Sequence, residues 1–182
     1  MPLQKVRNWN RIRRKQRILS NRVDIYKKEV YFSNKREIMN KTVTVQVTVQ
    51  ADVDTVWKYW TDPEHVMHWN QASDDWECPE AHNDLVEGGK FAYTMSAKDK
   101  SSSFVFGGTY TKIDPLKAIE YTIEGGRKVS VVFAEVEGGV SITETFETEN
   151  ENSEELQRTG WQAILDSFKW YVEGSIQPSL RY

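Results

Sequence analysis

"NSEELQRTGWQAILDSFKWYVEG", running from Asn152 to Gly174, is the stretch on which the fold turns. Trp161, Ile164, Leu165, Phe168, Tyr171 and Val172 recur at helical spacing, which lays one apolar stripe along a long helix. Asn152 with Glu155 has the form of a capping box, and Gly174 suits a C-terminal stop. Gly160 costs about 1 kcal/mol relative to alanine in a helix interior, so its place there suggests close backbone approach. A helix with one apolar stripe needs a second layer to bury it.

The preceding sequence supplies that layer as strands. "KTVTVQVTVQ" (41–50) alternates valine with polar residues, the period of a half-buried antiparallel strand. "ADVDTVWKYW" then turns helical, with Val53, Val56, Trp57 and Trp60 on one face and Asp52 as the N-cap. In "TDPEH", Asp62 caps a second short helix that Pro63 begins. Further on, Phe91, Tyr93 and Met95 share one face of a strand, and Phe104, Phe106, Gly108 and Tyr110 share one face of the next. The same holds for Ile119, Tyr121 and Ile123, for Val129, Val131 and Phe133, and for Val140, Ile142, Glu144 and Phe146. Gly88-Gly89, Gly125-Gly126 and Gly138-Gly139 fall between strands, where hairpin turns require them. Gly107-Gly108 falls inside a strand and suggests a bulge or sharp bend. The sum is an α+β chain: a curved antiparallel sheet wrapped around a long C-terminal helix.

Charge divides the chain. Residues 1–38 hold twelve of the 24 lysines and arginines and three of the 27 acids, leaving twelve basic and 24 acidic residues for the remainder. The acidic body is repelled by phosphate backbones, so no nucleic-acid partner is expected for the main domain. The basic stretch reads as an extension outside the functional domain. We place that domain at 39–176 and a short tail at 177–182. "RIRRKQR" also has the look of a nucleic-acid arm, and the apolar residues around it of a membrane-surface helix. One cysteine in 182 residues excludes an internal disulfide, and no apolar run is long enough for a transmembrane helix. A cytoplasmic location follows as the default expectation. Whether the chain is a monomer or a homodimer is left open.

"WTDPEHVMHWNQASDDWECP" (60–79) gathers Trp60, Trp69, Trp76, His65, His68 and Cys78, with His82 just beyond. These residue types suggest a metal or nucleophile centre, but their spacing does not. Zinc needs ligand pairs set to converge, and Cys78 to His82 is no known knuckle. We expect no metal and no cofactor, and read Cys78 as inert core, His65 as facing solvent and the stretch as short helix and loop.

Five blocks together resemble the activator of heat-shock protein 90 ATPase homologue-like family, within the START-like (SRPBCC, polyketide cyclase-like) superfamily of helix-grip folds. They are "VWKYWTDPEHVMHWN", "NDLVEGGKFAYTM", "FVFGGTYTKIDPLKAIEYTI", "VSVVF…GGVSITETFE" and "GWQAILDSFKWYVE", covering about residues 41–174. The resemblance implies a deep, mostly apolar cavity between sheet and helix that binds, carries or transforms hydrophobic small molecules.

The leading expectation is therefore a binding or carrier module for a hydrophobic or aromatic small molecule. The inward residues Phe91, Tyr93, Met95, Phe104, Phe106, Tyr110, Tyr121, Phe133 and Ile142, with Trp161, Leu165 and Phe168 on the helix, are the candidate contacts. Trp69 and Trp76 are placed near the entrance. The alternatives are a cofactor-independent cyclase or lyase using Glu144, an inward carboxyl whose pKa an apolar site would raise, and a chaperone-type protein-interaction module.

Overall fold

The computed structural model describes residues 41–176; the readings for the basic extension (1–38) and the tail (177–182) lie outside them. Alternation in the first strand becomes β1 (Thr42–Val49), which buries Val43, Val45 and Val49 and turns Thr42, Thr44, Gln46 and Thr48 outward. Two short helices follow, α1 (Val53–Thr61) and α2 (Pro63–Trp69). Each starts as expected: Asp52 accepts from the Thr55 N–H, Asp62 accepts from the Glu64 N–H, and Pro63 opens α2.

Six more strands come next: β2 (Trp76–Asn83), β3 (Lys90–Ala97), β4 (Ser103–Asp114), β5 (Ala118–Ile123), β6 (Lys128–Val136) and β7 (Gly139–Glu147). The chain then enters α3 (Glu154–Ile176). All seven strands form one sheet in the order β1-β7-β6-β5-β4-β3-β2, antiparallel throughout. The sheet curls into a half-barrel with α3 against its concave face, the α+β helix-grip arrangement that the order of elements predicted.

One sheet edge is covered by α3 side chains. β1 is an edge strand, and its unpaired backbone groups would otherwise offer a template for another strand. Arg158 donates to the Thr44 carbonyl at 2.8 Å, Gln162 to the Gln46 carbonyl at 3.2 Å, and Lys169 to the Thr48 carbonyl at 2.7 Å. The Gln50 N–H donates to Glu173 at 2.8 Å. The polar face of the helix thus reads the strand at every second residue, which fixes the register of α3 along the sheet.

Four local expectations change. The edge strand β2 replaces the expected loop over Trp76–Pro79. Its register shifts between Glu77 and Glu80, so Cys78 and Pro79 sit in an irregularity at a sheet edge, where proline is tolerated and alternation is lost. The cap of α3 is Ser153, whose Oγ accepts from the Leu156 N–H at 3.1 Å, while Asn152 donates to Glu149. The helix also runs through Gly174 to Ile176. Finally, the irregularity in β4 lies between Tyr110 and Lys112, not at Gly107-Gly108. Gly108 is needed for room instead: a Cβ there would stand 2.6 Å from the Thr122 carbonyl and 2.8 Å from the Phe91 ring.

The core divides α3 into two halves. Leu165, Phe168 and Val172 are fully buried in one cluster with Val43, Val45, Val131, Ile142 and Phe146. The turns before them face open space.

Candidate functional site

The N-terminal half of α3, the ends of α1 and α2, and strands β3 to β5 enclose a cavity of about 500 Å³. Its sheet wall follows from strand alternation: Phe91, Tyr93 and Met95 from β3, Phe104, Phe106 and Tyr110 from β4, Ile119 and Tyr121 from β5, and Glu144 from β7. The helix wall is Leu156, Gln157, Gly160, Trp161 and Ile164, and the end under α1 and α2 is closed by Trp60 and Trp69, so Trp69, expected near the entrance, is buried in the wall instead. Trp60 and Trp69 stack at 5.1 Å, and the Trp69 indole donates to the Tyr59 carbonyl at 2.9 Å, so this end is rigidly held. Trp161 is held from behind by Phe146, parallel at 4.0 Å.

The mouth is marked by lining residues that are also exposed: Ala72, Phe104, Glu151, Asn152 and Leu156. Phe104 and Leu156 are large apolar side chains left 52% and 60% exposed, and both line the cavity, which suits an opening for apolar molecules. Trp76 stands behind Phe104 in edge-to-face contact at 5.7 Å, outside the lining itself.

Polar groups cluster on the concave face. Tyr121 on β5 reaches over the small inward valines of β6 and donates to Glu144 Oε1 at 3.1 Å. Burial pushes the Glu144 carboxyl up to about 7, against the smaller opposing effect of the Tyr121 hydrogen bond. Tyr121 itself is held well above the ordinary phenol range by burial and by Glu144. Nearby, Tyr110 donates to Asn83 Oδ1 at 2.8 Å, and the Asn83 amide donates to the Thr61 carbonyl at 2.5 Å. Burial raises the Tyr110 phenol to about 12. The site can thus hold an apolar body and address a few polar atoms, and one of its groups titrates near neutrality.

Of the residues singled out from the sequence, Trp69, Phe91, Tyr93, Met95, Phe104, Phe106, Tyr110, Tyr121, Glu144 and Trp161 come together on this wall. Phe133, Ile142, Leu165 and Phe168 stand in the packed core beside it, with Phe133 wedged against Trp57 and Trp60 at 5.4 and 5.6 Å. His65 is half-buried instead of solvent-facing, stacked on Tyr59 at 3.8 Å with its Nδ1 2.9 Å from the Tyr171 hydroxyl. Cys78 is buried, and burial pushes its thiol up to about 11, which leaves it a poor nucleophile.

Residues 50–173 match the family model described as activator of Hsp90 ATPase homolog 1-like protein. The chain belongs to this family. Among solved structures, the AHSA1-like protein from Aeromonas hydrophila is 36% identical, with a TM-score of 0.72 over 78% of this chain and 99% of its own. A protein from Cytophaga hutchinsonii is 51% identical, with a TM-score of 0.65 over 75% of this chain and 94% of its own. One from Chromobacterium violaceum shares the fold at 21% identity and a TM-score of 0.66, covering 73% of this chain and 98% of its own. No curated protein matches. The AHSA1-like family places the chain in the START-like superfamily, a fold of a small-molecule-binding kind. Among the described residues no helix is long and apolar enough to cross a membrane.

In this AHSA1-like domain, Leu156, Gln157 and Gly160 are lining residues that the sequence reading passed over. Their signal was present, since they continue the face of Trp161 and Ile164 one turn earlier at spacings of three and four. It was obscured because glutamine and glycine do not look like an apolar stripe. Gly160 has a different role from the one its helix position suggested: a Cβ there would meet nothing within 4 Å. It leaves space in the cavity and does not mark close packing.

Proposed function

We propose that this domain, residues 39–176 without the basic extension and the tail, binds or carries a hydrophobic or aromatic small molecule in the cavity beneath α3. The supporting observation is the open volume of about 500 Å³, walled by aromatic rings and opened to solvent between Phe104 and Leu156. That volume lies within the range of small-molecule sites, about 300–1,000 Å³. Where α3 is meant only to pack, at Leu165, Phe168 and Val172, the same sheet closes on it completely. The gap one turn earlier is therefore local, and glycine at 160 keeps it open.

A second reading rests on Glu144: a buried carboxyl near neutrality that lines the cavity is suited to move a proton on a bound, enolisable substrate. One titration addresses both. With N-phenyl-1-naphthylamine as a neutral apolar probe, saturable binding at one site per chain in the micromolar range is expected, with quenching of tryptophan emission. Absence of saturable binding would remove the carrier reading. Chemical turnover of a bound compound, lost in Glu144→Gln, would favour the second.

A further inference from the structure

The hydrogen-bond directions on the cavity wall bear on which molecules it accepts. An amide nitrogen can only donate to a carbonyl, so the Asn83 side chain must give its N–H to the Thr61 carbonyl and turn Oδ1 the other way. Oδ1 carries no proton, so the Tyr110 hydroxyl must donate to it. Having spent its only proton, Tyr110 can act toward any further partner only as an acceptor. Tyr121 spends its proton on Glu144. Tyr110, Tyr121 and Glu144 all line the cavity, and the two phenols have no proton left to offer. What they and the carboxylate, once ionised, present is lone pairs.

We propose, resting on the cavity reading above, that the site selects aromatic molecules presenting a hydroxyl or amine hydrogen-bond donor to the Glu144–Tyr121 pair, over molecules of equal size that carry only an acceptor or no polar group. An ether or carbonyl brought to this patch sets acceptor against acceptor in a water-poor site, where an unmade hydrogen bond is expensive. A donor satisfies the carboxylate by a charge-assisted bond. Other lining groups that can donate come from different elements, among them Asn70 from the end of α2, Arg127, bonded to the Glu147 carbonyl, from the β5–β6 turn, and the Trp60 and Trp161 indoles from α1 and α3.

The test is a calorimetric titration of the full chain at pH 8, where Glu144 is mainly ionised, with 4-phenylphenol, 4-methylbiphenyl and 4-methoxybiphenyl. These share one apolar frame and differ in the group at one end. 4-Phenylphenol is expected to bind at least about tenfold more tightly than either of the others, the factor that one buried hydrogen bond supplies. In Glu144→Gln the preference is expected to fall below about threefold. Equal affinity for all three, or tighter binding of the ether, overturns the donor preference and leaves the cavity reading standing. Failure of all three to bind overturns both. The comparison on the unmodified chain decides even if the variant does not fold.

Discussion

Phe168→Ala is expected to lower the unfolding free energy by about 4 kcal/mol, within the range for emptying a buried phenylalanine site. Phe168 is fully buried on the packed half of α3, and Trp60 and Trp69 meet it edge to face at 5.0 and 4.9 Å. Removing the ring leaves a void beside two indoles that also close one end of the cavity, and indoles held by their mutual stacking and by the Trp69 hydrogen bond cannot collapse into it. Phe106→Ala makes the internal comparison. Its ring is half-buried and already faces open volume, so the cost is expected at about 1–2 kcal/mol. Urea unfolding of the two variants reads the difference directly. Equal costs would mean that the two halves of α3 are packed alike.

The second large effect is the pH dependence that Glu144 imposes. Its carboxyl stands at about 7 in the folded protein against 4.5 as the ordinary value, because burial penalises the charge. The folded state therefore binds the proton more tightly than the unfolded chain does. For such a group stability is greatest below 4.5, falls as pH rises toward 7, and levels off above it. Between pH 5 and pH 8 the loss is on the order of 2–3 kcal/mol for a fully buried group. Glu144→Gln keeps the shape and an acceptor for Tyr121 but has no proton to lose. Relative to the unmodified chain, the variant should gain that amount between pH 5 and pH 8 in urea midpoints. Parallel stability curves for the two proteins would show that Glu144 does not titrate in this range.

The sequence carries the global plan of this fold because the plan rests on periodicity. Alternation in β1 and β3 to β7 and the helical stripe in α3 each persist long enough to name the element and its inward face. β2 escapes because its residues obey a different constraint. At a sheet edge beside an irregularity, "WECPEAHN" need not alternate, and Pro79 argues against a strand that in fact tolerates it. The cavity is harder to read still. Phe91 and Phe168 are both inward aromatics, and nothing in their identity says that one borders a void while the other fills one. That distinction depends on the absence of a side chain at Gly160 and on how far α3 sits from β3 to β5. The role of Trp76 illustrates the same limit: it supports the rim through Phe104, a relation set by β2–β3–β4 register.

The central claim, that the space beneath the first turns of α3 is a binding site, is tested most directly by filling it. Gly160 lines the cavity and has nothing within 4 Å of its absent Cβ, so Gly160→Leu adds a side chain without a backbone clash. It also removes a helix-interior glycine, which favours the helix by about 1 kcal/mol. The variant is expected to be at least as stable as the unmodified chain and to bind N-phenyl-1-naphthylamine at least about tenfold more weakly, as expected when a site's volume is occupied. Undiminished binding by a well-folded Gly160→Leu protein would contradict the account, because the probe would then be held somewhere else.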